Sequence, residues 1–287
     1  MTITTIIESK KRQNSLLRCT FTAALISLSL GSFSVNAAQT LDTPLKGKSL
    51  NGIMQNDYEP VVFLDENGHN SGYFYDIVAA AARRLDAKID VKNGTFDSFI
   101  PGLQSQRYGF ALGTDATVER QKVVDIIPLI DAAYSFITSA QGKVNIGQQL
   151  SDLCGHSIAA LAGQSTLVEL SRQADQCVTD KKLPLKIAIF PSRSAAWLAV
   201  KSGQAELTPV YTGEAGWITK KDPTWRVTGP SFDEGQSGFA VNKQTGYAQA
   251  WADAVNALIA DGSYLKILQK YGVESVALKK VQINPAR

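Results

Sequence analysis

Short apolar runs and amphipathic helical stripes alternate along this chain, and that alternation restricts it to a small set of folds. Within 76–85, Ile77, Ala80, Ala81 and Leu85 recur at the spacing of one helix face. Runs rich in β-branched or aromatic residues lie on both sides of this helix and predict strands at 51–54, 61–64, 88–91, 110–113 and 134–138. A strand–helix–strand rhythm of this kind predicts an α/β protein.

The same rhythm starts again after Gln141. Further strands are predicted at 157–161, 185–190 and 206–210, with helices that begin near Ser165 and Ser192 and helices at 248–259 and 263–271. Gly272 is well placed to end the last helix. The restart predicts a second α/β lobe, which agrees with the length of the chain.

The N-terminus has the pattern of a secretory signal peptide. Basic residues precede an apolar run at 21–35 that is too short to span a bilayer comfortably, and small residues precede a cleavage point after Ala37. We therefore expect 1–37 to be removed and 38–287 to be the mature chain. Cys19 precedes the apolar run and does not match a lipid-attachment site, so we expect a periplasmic protein without a lipid anchor.

The charge of the mature chain is balanced. Residues 1–37 contain four basic and one acidic residue, which leaves 25 basic and 25 acidic residues in 38–287. Such a balance gives no reason to expect nucleic acid or an anionic membrane surface as a partner. A small neutral or zwitterionic ligand is compatible with this charge balance.

The mature chain keeps two cysteines, Cys154 and Cys177. An even pair in an exported protein predicts a disulfide, which stabilises the fold by roughly 3 kcal/mol on the chain-entropy model. The alternative to a disulfide is a catalytic pair in which Cys154 is the nucleophile and His156 its base, but no third group nearby would orient the histidine.

Sequence motifs for catalysis, metal binding and cofactor binding are missing. The chain has only two histidines, no Gly-x-Ser-x-Gly elbow and no His-Glu-x-x-His motif, and 47–49 lacks the upstream glycine of a phosphate-binding loop. We therefore predict no catalytic residues, no metal and no cofactor.

Several segments, in this order after a signal peptide, are similar to one family. They are Gly72–Ile77, 96–103, 117–125, 238–241 and 258–264. Together they resemble the solute-binding proteins of ABC importers, of the polar amino-acid type, and the resemblance covers nearly all of the mature chain.

The resemblance implies a type II periplasmic-binding-protein fold with two lobes, each a mainly parallel sheet flanked by helices. The chain would cross between the lobes near 138–142 and 230–238. Lobe 1 would then comprise 38–139 and 233–287, and lobe 2 would comprise 140–232. Such proteins close on a ligand by a hinge motion and deliver it to permease subunits in the inner membrane. We expect a monomer that is not an enzyme.

Arg120 occupies the position at which the family has an arginine that binds the α-carboxylate of the ligand. A planar guanidinium suits a carboxylate in a cleft that excludes water, although an arginine in a first helical turn is more often a surface charge. Thr117 could contact the ligand or cap the same helix. Gly113 could present its carbonyl to an ammonium group or be an ordinary loop glycine.

Five further positions are expected at the ligand. Tyr58 and Phe96 could stack on it, with core packing as the alternative for both, and Asp57 could reach a distal group. In the second lobe, Ser165 and Thr166 open a predicted helix and could offer donors to a carboxylate, or serve only as helix caps.

Two departures from the family leave the ligand class open. The aspartate that usually pairs with the α-ammonium is replaced by Tyr211, and a neutral phenol is a poor substitute for a carboxylate. Asp115 stands where the family more often has Ser or Thr, so it could take the ammonium group or simply hold Arg120. Glu214 lies close enough to Tyr211 in sequence to face the same cleft.

Two rival functions fit the same scaffold. An exported enzyme similar to cyclohexadienyl dehydratase also binds a carboxylate, with Glu214 and Asp115 as a conceivable acid and base pair, and fold alone does not separate the two. A sensory protein that presents its ligand to a membrane receptor is the other.

Overall fold

Strands and helices alternate along the computed structural model, which describes residues 43–285. The predicted signal peptide, its cleavage point and Cys19 lie outside these residues. The strands are β1 Ser49–Met54, β2 Asp57–Tyr58, β3 Val62–Leu64, β4 Asn70–Ser71, β5 Lys88–Asn93, β6 Phe110–Asp115, β7 Val124–Ser139, β8 Ser157–Leu161, β9 Lys186–Phe190, β10 Thr208–Tyr211 and β11 Trp225–Asn242.

Within residues 43–285, six α-helices fall between these strands, as the sequence rhythm predicts, and two follow the last strand. They are α1 Tyr73–Arg84, α2 Phe99–Gln104, α3 Val118–Val123, α4 Thr166–Thr179, α5 Arg193–Lys201, α6 Thr212–Lys221, α7 Ala248–Ala260 and α8 Ser263–Lys270. Each predicted strand and helix is present. Strands β2, β4 and β11 and helices α2 and α6 were not predicted, and β7 is longer than the predicted 134–138. Gly213 and Gly216 weaken the helical pattern of α6, and glycines and polar residues interrupt the pattern of β11.

The largest sheet has the strand order β10-β7-β11-β6-β1-β5. Strand β1 pairs in parallel with β5 and β6, whereas β11 is antiparallel to both β6 and β7. A second parallel pair, β8 with β9, connects to this sheet through a bridge between Ile158 and Leu207. The result is the predicted α/β architecture of two lobes.

Strands β7 and β11 each change pairing partners along their length. The last part of β11 pairs with β6 from Ser237 to Val241, while Tyr134 to Ile137 of β7 pair with β10. The β7–β11 register breaks between Thr228 and Gly235. The change of partner along β7 thus lies upstream of the predicted crossing at 138–142, and the break in β11 overlaps the predicted crossing at 230–238. The lobe limits themselves stay a prediction.

Helices α1 and α7 cover the sheet of the first lobe. The apolar stripe of α1 is buried, with Ile77 and Ala81 at 0% exposure. Trp251 of α7 packs on Phe110 and Phe239, with ring centroids 5.9 and 5.3 Å away. Burial of such large apolar side chains is the main stabilising term of this lobe.

Cys154 and Cys177 form a disulfide, with their Cα atoms 5.6 Å apart, as the sequence predicts. The bond joins the segment before β8 to the last turn of α4. Within 43–285, no helix is long and apolar enough to cross a membrane, and no cluster of three or more potential metal ligands is found.

Candidate functional site

The end of β6 brings Asp115 into the space between the lobes. All six residues of β6 are buried, and Gly113 has a φ of +84°, a conformation that a side chain disfavours. Gly113 lies within the strand, where the β6–β11 register shifts, two residues before Asp115. Both residues line the cleft.

The carboxylate of Asp115 is 2% exposed and is surrounded by hydroxyl donors. Its Oδ2 accepts hydrogen bonds from Ser165 at 2.6 Å and Tyr134 at 2.9 Å, and its Oδ1 accepts one from Tyr211 at 2.6 Å. The Tyr211 hydroxyl also lies 2.7 Å from that of Ser237. Tyr211, which replaces the family's aspartate, thus reaches a carboxylate supplied by the other lobe.

Opposing effects set the pKa of Asp115. Burial acts to raise it, while the charge of Arg120 and hydrogen bonds from three hydroxyl groups lower it. The lowering effects prevail and the pKa lies below its usual value, so Asp115 is ionised at neutral pH.

Arg120 lies in the first turn of α3, as predicted. Thr117 caps this helix, since its Oγ1 accepts a hydrogen bond from the Arg120 backbone at 3.3 Å. The guanidinium donates to the carbonyls of Asp115 at 3.2 Å and Gly163 at 2.8 Å, and Nη1 lies 3.6 Å from Asp115 Oδ2. The bond to Gly163 joins the two lobes.

Arg120 also contacts Phe96, whose ring centroid lies 5.2 Å from the guanidinium carbon. Both side chains line a cavity of about 200 Å³ that adjoins Gly163. Phe96 packs on Phe99 as well, with centroids 5.0 Å apart, so it serves both the core and the cleft.

Ser165 and Thr166 begin α4, where a cap was one of the two predicted roles. Ser165 is the N-cap residue, but its side chain makes no capping bond and instead reaches Asp115 across the cleft. Thr166 is 0% exposed, and its hydroxyl has no hydrogen-bond partner in the described part of the chain. Neither side chain therefore acts as a simple helix cap.

Tyr58 and Asp57 join the lobes at the other end of the cleft. Tyr58 is 5% exposed and stacks on Tyr211, with ring centroids 5.5 Å apart. Asp57 Oδ2 accepts hydrogen bonds from the Ser194 backbone at 3.1 Å and the Ser194 hydroxyl at 2.6 Å. At the rim, Lys221 pairs with Glu59. In this structure, Asp57 holds the lobes together.

Arg193, which the sequence analysis did not select, is the first residue of α5 and is 5% exposed. Its guanidinium carbon lies 3.3 Å from the ring centroid of Tyr58, and it lines the same cleft as Asp115. A basic residue in a first helical turn is usually at the surface, so its burial was not predictable from the local pattern.

Glu214, in the first turn of α6, is 1% exposed. Its Oε2 accepts a hydrogen bond from the Tyr211 backbone at 3.3 Å, while Oε1 has no partner among residues 43–285. Burial raises its pKa to about 7, against the smaller lowering effects of Arg193 and Tyr58. Glu214 therefore faces the same region as predicted, but it is only partly ionised at neutral pH.

The cleft is closed, and only about 10 Å³ of space remains among Asp115, Tyr58, Arg193 and their neighbours. That volume is about enough for one water molecule. This space is too small for an organic ligand, so the closed arrangement around Asp115 must open to admit one.

Two α/β lobes, joined by two crossing strands and enclosing buried charges, define a type II two-lobed binding protein. The chain belongs to the bacterial extracellular solute-binding proteins, family 3, whose profile matches residues 50–274. The family and the fold class predicted from the sequence are thereby confirmed.

Individual relatives share about a quarter of their residues with the chain. It is 23% identical to an arginine-binding protein of Corynebacterium glutamicum, over 79% of this chain and 75% of that one. It is 24% identical to a glutamine-binding protein of Geobacillus stearothermophilus, over 63% and 67% of the two chains. The structure of an ancestral arginine-binding protein bound to arginine superposes with a TM-score of 0.70 at 25% identity, over 79% of this chain and 99% of that one.

Proposed function

We propose that the mature chain is the periplasmic substrate-binding component of an ABC importer, which binds an amino acid or a related carboxylate between its lobes. The main support is the Arg120–Asp115 pair, which is partly buried in the cleft and bonded to residues of the opposite lobe. Relatives named as arginine- and glutamine-binding proteins support the same class of ligand.

In this proposal Arg120 binds the α-carboxylate of the ligand. Separation of the lobes breaks the Arg120–Gly163 bond and frees Nη2, and the ligand carboxylate then takes the place of the Gly163 carbonyl. This exchange of partners makes closure depend on the ligand. Phe96 and Tyr58 provide apolar faces beside the same space.

Asp115 receives the ammonium group in this proposal. The hydroxyls of Ser165 and Tyr211 come from the second lobe, so opening withdraws them and leaves the carboxylate free to accept new donors. Gly113 offers its carbonyl nearby. Thr117 and Thr166 support the closed form around this head group, and Asp57 supports it at the other end of the cleft.

We propose that the protein is exported by its signal peptide, carries no lipid, acts as a monomer and delivers its ligand to permease subunits in the inner membrane. We also propose that it binds its ligand without turnover. The saturated hydrogen bonding of Asp115 supports binding, since a carboxylate held ionised by four groups is a weak proton acceptor.

The test is ligand binding to mature protein that has been unfolded and refolded to remove bound molecules. A ligand at 100 times its dissociation constant stabilises the fold by about 2.7 kcal/mol, which raises the melting temperature by several degrees. We expect an amino acid to produce this shift and to be recovered chemically unchanged.

Arg120→Met should weaken that binding about 30-fold or more, because a buried charge pair is lost. Arg172→Met is the matched control, since Arg172 is exposed and, within residues 43–285, pairs with Glu169 of its own helix. Unchanged affinity in Arg120→Met would exclude Arg120 as the carboxylate anchor. Conversion of prephenate or arogenate would favour the dehydratase alternative.

A further inference from the structure

Arg193 is a buried charge whose surroundings do not complete its hydrogen bonding. The residue is 5% exposed, and its Nε has no hydrogen-bond partner among residues 43–285. The Tyr58 ring beneath it interacts with the charge of the guanidinium but accepts no in-plane N–H bond. A buried guanidinium in this state is costly unless an anion reaches it.

Nearby acidic groups do not supply that anion. Glu214 Oε2 accepts from the backbone of Tyr211, and its Oε1, like Arg193 Nε, has no partner among the described residues. The two charges are therefore close enough to interact electrostatically but are not hydrogen-bonded through these atoms. Asp57 is engaged with Ser194 instead.

Arg193 differs from Arg120 in this respect. Arg120 donates to two carbonyl groups and lies beside Asp115. Arg193 lines the same closed cleft as Asp115 but comes from the opposite lobe. The cleft thus holds two arginines, and the second is the one with donor capacity to spare.

We propose that Arg193 is a specificity residue that binds a second acidic group of the ligand, so that the preferred substrates are amino acids with an additional carboxylate. This inference rests on the proposed function, because it assumes an amino-acid head group at Arg120 and Asp115. A carboxylate at the far end of the ligand would accept the free donors of Arg193 while Tyr58 covers the guanidinium face. A cationic far end would meet a like charge there.

Three pairs of ligands test this, since each pair differs by one acidic group at the end away from the common head. They are aspartate with asparagine, glutamate with glutamine, and 2,6-diaminopimelate with lysine. Calorimetry on refolded, ligand-free protein should show that the acidic member of at least one pair binds about 30-fold more tightly or better.

Arg193→Met should abolish that difference, and Arg193→Lys should restore part of it, because lysine keeps the charge without the planar pair of donors. Arg172→Met should keep the wild-type preference.

Two results would overturn the inference while leaving the proposed function intact. One is tighter or equal binding of the non-acidic member in every pair that binds. The other is unchanged or increased affinity of Arg193→Met for all amino acids, which would mean that the Arg193 side chain only fills the closed cleft. If no amino acid binds to the wild-type protein at all, the proposed function fails, and this inference fails with it.

Discussion

The two ends of the interlobe cleft differ in how completely their buried charges are partnered. At the β6 end, both oxygens of Asp115 accept hydroxyl hydrogen bonds, and Arg120 lies 3.6 Å away. At the α5 end, Arg193 and Glu214 are equally buried, but each keeps an atom without a hydrogen-bond partner in the described chain. The buried charges of the first end, here called the complete end, are partnered in the closed protein, whereas those of the second, the incomplete end, need an added group to satisfy their polar atoms.

The largest expected effect follows from removing the charge at the complete end. Asp115→Asn leaves three hydroxyl donors and Arg120 with a neutral amide, so the free energy of unfolding should fall by about 3–5 kcal/mol. Urea unfolding measures this change in free energy, and Asp90→Asn is the control because Asp90 is exposed. A loss below about 1 kcal/mol would show that the network at this end adds little stability.

The incomplete end should make stability depend on pH. Glu214 has its pKa raised from 4.5 to about 7 by burial, so it contributes stability that is fully present below pH 4.5 and is lost as the pH rises through about 7. At 1.36 kcal/mol per unit, the loss is on the order of 3 kcal/mol.

Urea unfolding between pH 5 and 8 tests this, and Glu214→Gln should flatten the profile by removing the ionisation. The charged and titratable groups that influence Glu214 include Arg193 and Tyr58, and neither changes its charge in this range. An equally steep profile in Glu214→Gln would assign the pH dependence to other groups.

A smaller loss is expected when one donor is removed from the complete end. Tyr211→Phe deletes the hydroxyl that bonds Asp115 at 2.6 Å and Ser237 at 2.7 Å but keeps the ring that stacks on Tyr58. A hydrogen bond to a charged group contributes about 1.5–3 kcal/mol, so the free energy of unfolding should fall by roughly 2 kcal/mol. An unchanged midpoint in urea would mean that water replaces the hydroxyl.

The smallest effect on stability should come from the incomplete end itself. Arg193→Met removes a desolvated charge with an unpartnered Nε, so the free energy of unfolding should change by less than about 1 kcal/mol or increase. Replacing the equally buried Asp115 should cost several times more. A loss above about 2 kcal/mol in Arg193→Met would show that the contact with Tyr58 compensates the buried charge without a ligand.

The sequence predicted the fold more completely than the site. Every proposed strand and helix is present, because the periods of strands and helices depend on neighbouring residues. Helix α6 was not predicted because its two glycines weaken the helical pattern of its sequence. Among site residues, Arg120 and Thr117 were placed on the correct helix from the family resemblance, but Arg193 was missed because its local sequence does not distinguish a buried arginine from an exposed one.

The sequence by itself determined the family, the α/β rhythm, the disulfide pair and the set of polar residues available to the cleft. Only the tertiary structure decided which of them meet, since Asp115, Ser165, Tyr211 and Ser237 come from four distant parts of the chain. The two crossing strands bring them together. Burial acts to raise the pKa of both Asp115 and Glu214, but Arg120 and hydroxyl donors reverse this effect at Asp115 and leave it in force at Glu214. Burial and partner geometry are properties of the folded cleft, and no local pattern encodes them.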